Sequence, residues 1–541
     1  MSTAAPDIEV RVPLPELIEA LSRPEAFGAE GPVEVVQTHV SAVFLTRDHA
    51  YKIKKPLNLW GFLDYGTVEV RKHWCEEEVA LNRRVAPPIY EGVAAIRRRP
   101  DGSIGLEGEG EIVEHAVVMK RLPAGATFQE MLDASTLGED DIREAAATLA
   151  AFHRTYRLAP EEAALARPSS FGGVVRQNVL ATREAIGRLF PRVVHEGLAR
   201  RLARLLRNAR GLIRQRVAAG RMVNGHGDVR LEHVVRYDGK VGVIDCVEFS
   251  PLIRHVDPLC DMAFLSMDLT EKGRPDLARV FEASYLEHLG ESDEVARTLM
   301  PLYRAYRAHV RAKVDELTWR SPEVDAAVRE QKALGARRFL ALAWTYAREG
   351  ETPPLVLLRG PSGTGKSALA GKLAPWIGAE VVRSDLVRKE LFGLGPTERL
   401  DAAGKARLYA PEMSARTYET VLGRGLGWMR RGRGPILDAT YLRADARAEV
   451  RRAALSIGAP FAIVDVTCPP EEVRRRLAAR TAAGTDASDA DVKVYESQSK
   501  ETEPLSAVEE RVAVSYASGT PVELVVLEIL DVLERHGGVG A

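Results

Sequence analysis

Apolar and polar positions follow two different rhythms along the 541-residue chain. Up to about residue 120 the apolar runs are short and predict strands, and from there to about residue 347 the spacing is mainly helical. Ala50-Tyr-Lys52-Ile-Lys54 reads as a strand whose period places Lys52 and Lys54 on one face. Cys75-Glu-Glu77-Glu78-Val-Ala-Leu81 reads as a helix. Leu198, Leu202, Leu205 and Leu206 recur at helical spacing inside an Arg-rich stretch, as a core stripe does beneath a solvated basic face. The pattern breaks at Glu351-Thr-Pro-Pro354. Beyond it, Leu355–Leu358, Glu380–Val382, Pro435–Leu437 and Phe461–Val466 read as strands alternating with helical stretches. That alternation predicts a parallel sheet covered by helices on both faces. The expected domains are therefore 1–347 and 353–541.

Composition narrows the class. Apolar residues make up 45% and charged residues 28%, and 75 Lys+Arg balance 76 Asp+Glu. So even a balance gives no global attraction to nucleic acid or to an acidic membrane. The four cysteines are scattered without a CxxC pair, which fits reduced thiols in a cytoplasmic protein. Met1 to Arg11 has no apolar core of a secretory signal, and no run approaches the roughly 18 apolar residues of a membrane span. The expected setting is cytoplasmic, without a membrane partner.

The most specific motif is Gly360-Pro-Ser362-Gly363-Thr364-Gly365-Lys366-Ser367, placed between a predicted strand and a predicted helix. In that context the glycines let backbone N–H groups wrap phosphates, Lys366 reaches the β- and γ-phosphates of ATP, and the Ser367 hydroxyl ligates Mg²⁺. Asp385 follows the second strand, where it either accepts the proton of an acceptor hydroxyl or caps the next helix. Arg388, three residues on, is positioned to hold the acceptor. Asp438 ends an apolar strand, where it either orders Mg²⁺ through water in the manner of a Walker B carboxylate or belongs to a strand-ending turn. Glu471–Arg480 reads as a helix with Arg474, Arg475, Arg476 and Arg480, followed by a small, polar stretch from Thr481 to Asp489. This reads either as a lid or as a solvated basic helix. Residues 353–540 resemble the small P-loop kinases: gluconate kinase, chloramphenicol phosphotransferase, zeta toxins and polynucleotide 5′-kinases. The resemblance implies the base role for Asp385.

A second constellation lies upstream: Asn224-Gly-His226-Gly-Asp228-Val-Arg-Leu-Glu-His233, then a hairpin turn at Tyr237-Asp-Gly239, then Ile244-Asp245. Asp228 can orient or deprotonate an acceptor hydroxyl while Asp245 ligates Mg²⁺. A metallohydrolase cluster of His226, Asp228 and His233, or core histidines with capping aspartates, are alternatives. The pattern resembles the aminoglycoside phosphotransferase and choline kinase superfamily, over about residues 35–320. The resemblance implies an α+β protein-kinase-like fold, with His233 standing where the superfamily has a metal-holding Asn. It further implies a phosphate-binding strand lysine (Lys52 first, Lys54 second), a helix glutamate partner (Glu77 or Glu78) and an adenine hinge at Met119. His39-Val-Ser41 stands where a phosphate-covering loop is expected, without its glycines. Asp257-Pro-Leu-Cys-Asp261 reads as structural support.

Both halves in this order resemble a bacterial family of fused aminoglycoside phosphotransferase-like and P-loop ATP-binding domains. The implied activity is transfer of the ATP γ-phosphate to a hydroxyl of a small molecule, with ATP and Mg²⁺ as cofactors and one or two active sites. A polynucleotide 5′-kinase is an alternative, although the short basic stretches Arg97–Arg99 and Arg430–Arg433 lack the interleaved aromatics of a stacking platform. An ATP-binding regulator with an N-terminal pseudokinase is another.

Overall fold

The computed structural model describes residues 8–536 apart from 39, 60–62, 87, 323, 399, 484–487 and 489. It divides into two compact units that do not follow the chain linearly. One comprises Met1–Phe171, Arg210–Leu269 and Asp276–Met300; the other comprises Gly172–Ala209, Thr270–Pro275 and Pro301–Ala541.

The first unit carries a six-stranded antiparallel sheet in the order Glu34–Gln37, Ser41–Leu45, His49–Lys54, Glu111–Lys120, Tyr90–Arg98, Ile104–Gly105. Phe44, Tyr51, Ile53, Ile96 and Val113 fill the core beneath it. The helix Val68–Asn82 starts at Thr67, whose hydroxyl accepts the Val70 N–H, and packs against the strands Glu111–Lys120 and Tyr90–Arg98. In the rest of this unit, the short pairs Val223–Asn224 with His255–Val256 and Val234–Tyr237 with Lys240–Val243 bracket the His226 and Asp245 segments.

The second unit contains a five-stranded parallel sheet, in the order Ala379–Arg383, Gly434–Asp438, Leu355–Arg359, Phe461–Thr467, Ala513–Ala517. All four expected strands are present. The fifth, Ala513–Ala517, is an edge strand. The helices Lys366–Ile377, Pro411–Arg430, Ala444–Ser456 and Val522–His536 cover the sheet. The helix Ala326–Ala347, which precedes the expected boundary, also belongs to this unit. It packs on Val522–His536 and Lys366–Ile377. Trp344 Nε1–H donates to Glu534 (2.9 Å), the Thr345 hydroxyl donates to the Trp376 carbonyl (3.0 Å), and Arg201 forks onto Glu534 (3.0 and 2.8 Å). The helix ends at Ala347, and the Pro353-Pro354 break beyond it does not end a packing unit.

Candidate active sites

The P-loop follows the fully buried strand Leu355–Arg359 at the centre of the parallel sheet. Gly360 has φ +140°, and a Cβ there would lie 2.4 Å from the Val466 carbonyl oxygen. Gly365 has φ +100°, and its Cβ would lie 2.8 Å from the Ser518 hydroxyl. Only glycine fits either position. Lys366 opens the helix Lys366–Ile377, and its ammonium donates to the carbonyls of Gly360 and Pro361, each at 2.8 Å. Burial lowers its pKa, while Asp438 and Asp385 oppose that shift. The Ser367 hydroxyl donates to Asp438 Oδ2 at 2.6 Å. Burial raises the Asp438 pKa, against the pull of Lys366 and of the Ser367 hydrogen bond. Hydroxyl, buried carboxylate and ammonium therefore converge at the carboxyl ends of adjacent strands, where open α/β sheets take their ligands.

Asp385 sits in the first turn of the helix Ser384–Phe392, but Arg383 occupies the cap position and makes no side-chain cap bond. Asp385 instead lines the cleft with Lys366, Ser367 and Asp438. Arg388 lines the same cleft and lies over the Tyr409 ring at 4.6 Å. The helix arginines pair largely with acids: Arg475 and Arg476 with Glu472 (2.8 and 2.7 Å) and Arg474 with Glu496 (3.6 Å), while Arg480 donates to the Ala490 carbonyl (2.6 Å). Most of the expected lid segment after Ala483 lies outside the described residues. One contact has no sequence signal: the Ser362 N–H donates to Gln498 Oε1 at 2.7 Å, so the helix Val492–Glu501 reaches a P-loop amide.

In the other unit, Lys52 lies opposite Val117 in the sheet. Its ammonium donates to Glu78 Oε1 (2.9 Å) and to Asp245 Oδ1 (2.5 Å). Lys54 points deeper: it is 1% exposed and is held by Glu78 Oε2 (2.8 Å) and by Glu248, which also accepts the Tyr65 hydroxyl (2.5 Å). Glu78 replaces Glu77 as the partner glutamate. Glu78 lies on the buried helix face with Arg71, Cys75 and Asn82, whereas Glu77, about 100° round the axis, is half-buried. Glu78→Gln is expected to lower unfolding stability by about 3–5 kcal/mol, because it leaves two buried ammonium groups short of a counter-charge. Glu77→Gln should stay within about 0.5 kcal/mol. Denaturant midpoints of the two variants check this.

Burial alone would lower the Lys52 pKa, yet Asp245 and Glu78 hold it well above the ordinary value. For Asp245, burial raises the pKa, but Lys52 and His233 outweigh it and keep the carboxylate ionised. Its side chain is 44% exposed, so solvent tempers these effects. His233 Nδ1 meets the Asp228 carbonyl at 2.7 Å and its Nε2 stands 3.5 Å from Asp245 Oδ2. Asp245 Oδ2 and His233 Nε2 thus face each other at 3.5 Å, with Arg230 Nη2 also 3.4 Å from that ring nitrogen. The Asp228 carboxylate is gripped by Arg230 through Nε (3.0 and 3.1 Å) and Nη2 (3.0 Å). His226 is fully buried. Its Nε2 meets the Ile244 carbonyl (2.9 Å), its Nδ1 accepts the Asp228 N–H (3.3 Å), and burial pushes its pKa down to about 4. With both ring nitrogens engaged it has no lone pair for a metal, which argues against the metallohydrolase cluster. Asp261 accepts the N–H groups of His226 (2.7 Å) and Gly227 (2.8 Å), and Asp257 pairs with Arg216 (2.6 Å), the supporting roles expected of that segment. Met119, opposite Ala50 and Tyr90, packs against the same buried cluster as Ile244. His39 lies outside the described residues.

Residues 79–299 match the family described as phosphotransferase enzyme family, and residues 355–505 match an AAA domain. An uncharacterized protein of Mycobacterium tuberculosis strain H37Rv is 30% identical over 461 residues, spanning 84% of this chain and 88% of its own. The chain belongs to the bacterial family that fuses an aminoglycoside phosphotransferase-like domain to a P-loop kinase domain. In fold, the first domain of this family is protein-kinase-like and the second a P-loop domain with a parallel sheet. Among solved structures, the chain is similar to a choline/ethanolamine kinase family protein from Mesorhizobium loti (14% identity, TM-score 0.35, 61% of this chain and 99% of that one). It is also similar to a gluconokinase from Sinorhizobium meliloti (18% identity, TM-score 0.25, 34% of this chain and 93% of that one). Family membership makes this chain a phosphotransferase of the kinase class with a nucleotide-binding P-loop. Among the described residues no helix is long and apolar enough to cross a membrane.

Proposed function

We propose that this fusion-family member is an ATP-dependent kinase that moves the γ-phosphate to a hydroxyl of a small molecule, with one site in each unit. The observation that carries the reading is the convergence of Lys366, the Ser367–Asp438 pair (2.6 Å) and Asp385 in one cleft. In this reading Lys366 steadies the β- and γ-phosphates, Ser367 and Asp438 would hold Mg²⁺, and Asp385 takes the acceptor proton. Arg388 holds the acceptor. Phosphoryl transfer needs positioning and charge more than covalent chemistry, so a P-loop, a metal site and one base suffice. The bound Mg²⁺ would supply neutralisation of charge on the phosphates.

The N-terminal site supports the same chemistry through different residues. Lys52, fixed by Glu78, faces the phosphates; Asp245 and His233 would hold the metal; Asp228 orients the acceptor; Met119 borders the adenine. A phosphoryl-transfer screen with labelled ATP tests the whole reading on the full chain, since the helices of residues 172–209 pack with the second unit and halves cut at residue 350 would lose them. Sugars, aminoglycosides, nucleosides and oligonucleotide 5′ ends are offered to the parent, Lys366→Ala and Asp228→Asn. Transfer to a small hydroxyl compound, lost in one single variant, assigns the site. Transfer to oligonucleotide ends alone would favour the polynucleotide kinase, and no transfer at all would favour a regulator.

Asp385→Asn keeps the shape of the side chain in the first helical turn and removes its basicity. The expected result is a kcat about 10²–10⁴-fold lower with ATP affinity little changed. Normal kcat with a lowered unfolding midpoint would return Asp385 to a structural role.

A further inference from the structure

Asp245 has φ +62°, left-handed backbone that a non-glycine residue keeps only when its surroundings impose it. Two buried side chains do so. The Asp245 N–H donates to the Tyr90 hydroxyl at 3.1 Å, and the next amide, that of Cys246, donates to Asn82 Oδ1 at 3.0 Å. Tyr90 is 5% exposed and Asn82 is fully enclosed. The Asn82 amide is itself oriented, since its Nδ2–H donates to the Glu78 carbonyl at 2.8 Å and leaves Oδ1 for Cys246. Asn82 lies one turn beyond Glu78 on the helix Val68–Asn82. That helix therefore sets both ends of the same constellation: Glu78 fixes Lys52, which meets the Asp245 carboxylate, and Asn82 fixes the peptide that follows Asp245. Tyr90, at the start of the neighbouring strand, fixes the peptide that precedes it.

We propose that Tyr90 and Asn82 are positioning residues of the N-terminal phosphotransfer site: by accepting consecutive amides they hold Asp245 left-handed and aim its Oδ2 at the volume it shares with His233. The proposal rests on the reading of Asp245 as a metal ligand. Its physical basis is the peptide orientation. If either acceptor is lost, the 245–246 segment can relax toward ordinary φ, which swings the carboxylate while leaving the remainder of the nucleotide pocket in place.

The test uses the full chain carrying Lys366→Ala, so that the P-loop site is silenced. Binding of a fluorescent ADP analogue is titrated with magnesium, and again in EDTA. Tyr90→Phe removes one oxygen and keeps the ring in its apolar cluster with Met119 and Ile244. The expected result is a rise of roughly ten-fold in the magnesium concentration needed for half-maximal binding, the equivalent of about 1.4 kcal/mol for one unsatisfied buried amide. Nucleotide affinity in EDTA should not move. Asn82→Ala is expected to act in the same direction, with the double variant weaker than either. An unchanged magnesium requirement in Tyr90→Phe would overturn the proposal. So would equal losses with and without magnesium, the signature of a purely structural role. A parent protein whose binding shows no magnesium-dependent step would overturn the reading of Asp245 itself, and the positioning role with it.

Discussion

Lys366→Ala is expected to lower transfer from ATP at the P-loop site by about 10²–10³-fold, the loss typical of removing one preorganised charge-stabilising donor. The measurement is made on the full chain in an Asp228→Asn background, so that turnover at the N-terminal site does not mask the loss. The fold should survive. The ammonium donates to two loop carbonyls, but burial disfavours its charged form, so truncation removes hydrogen bonds and an enclosed cation together. An unfolding midpoint close to the parent's, with turnover nearly gone, is the expected pair of results. Unchanged transfer would sink the assignment of this cleft as an active site. A lower midpoint that tracks the loss of turnover would instead assign Lys366 to loop architecture.

Much of this was legible in the sequence because the relevant signals are local. A P-loop declares itself through glycines whose φ values and Cβ clearances leave no substitute, as at Gly360 and Gly365. The central strands read clearly because burial on both faces makes them continuous apolar runs, as at Leu355–Arg359. The edge strand Ala513–Ala517 alternates buried and exposed positions over only five residues, too short a run to stand out. The preference for Lys52 came from the family resemblance, whereas the shared face of Lys52 and Lys54 followed likewise from period two. The choice between Glu77 and Glu78 did not, because adjacent helical positions differ by about 100° and nothing in Cys75–Leu81 shows which side meets the sheet. The packing of residues 326–347 was hidden for a related reason: the helix ends before Pro353-Pro354, but which helices it packs on is decided by the contacts of Trp344 with Glu534 and of Thr345 with Trp376, distant in sequence. Gln498 against Ser362 and Tyr90 against Asp245 are side-chain-to-backbone contacts of the same long-range sort, with no periodicity to announce them.

The charge pattern around Asp245 explains why the N-terminal site supports separate roles for its two aspartates. Asp245 shares Lys52 with Glu78 and faces His233, so its carboxylate is held ionised beside a charged strand lysine. Asp228 is turned to Arg230 instead, and it reaches His233 chiefly through its own carbonyl. In the proposed reading one carboxylate would hold the metal and the other would orient the acceptor.

That division yields the sharpest prediction for this half. In the Lys366→Ala background, Asp245→Asn should abolish magnesium-dependent nucleotide binding, because the amide keeps the shape but loses the charge that ligates the ion and pairs with Lys52. Asp228→Asn should leave nucleotide binding nearly intact and lower transfer by about 10²–10⁴-fold, the range for positioning and base roles. His233 separates hard from soft metal use: imidazole favours softer ions than Mg²⁺, so His233→Asn should keep or improve magnesium-supported binding and lose any preference for zinc. The readouts are nucleotide titrations with magnesium and with zinc, alongside labelled-ATP transfer. If both aspartate variants lost nucleotide binding equally, the two residues would share one structural task, and the separation of metal ligand from acceptor residue would fail. If the parent bound zinc tightly and no nucleotide, the kinase reading of this half would end there, because a site built around Lys52 and an ionised Asp245 has no use for phosphate unless nucleotide enters it.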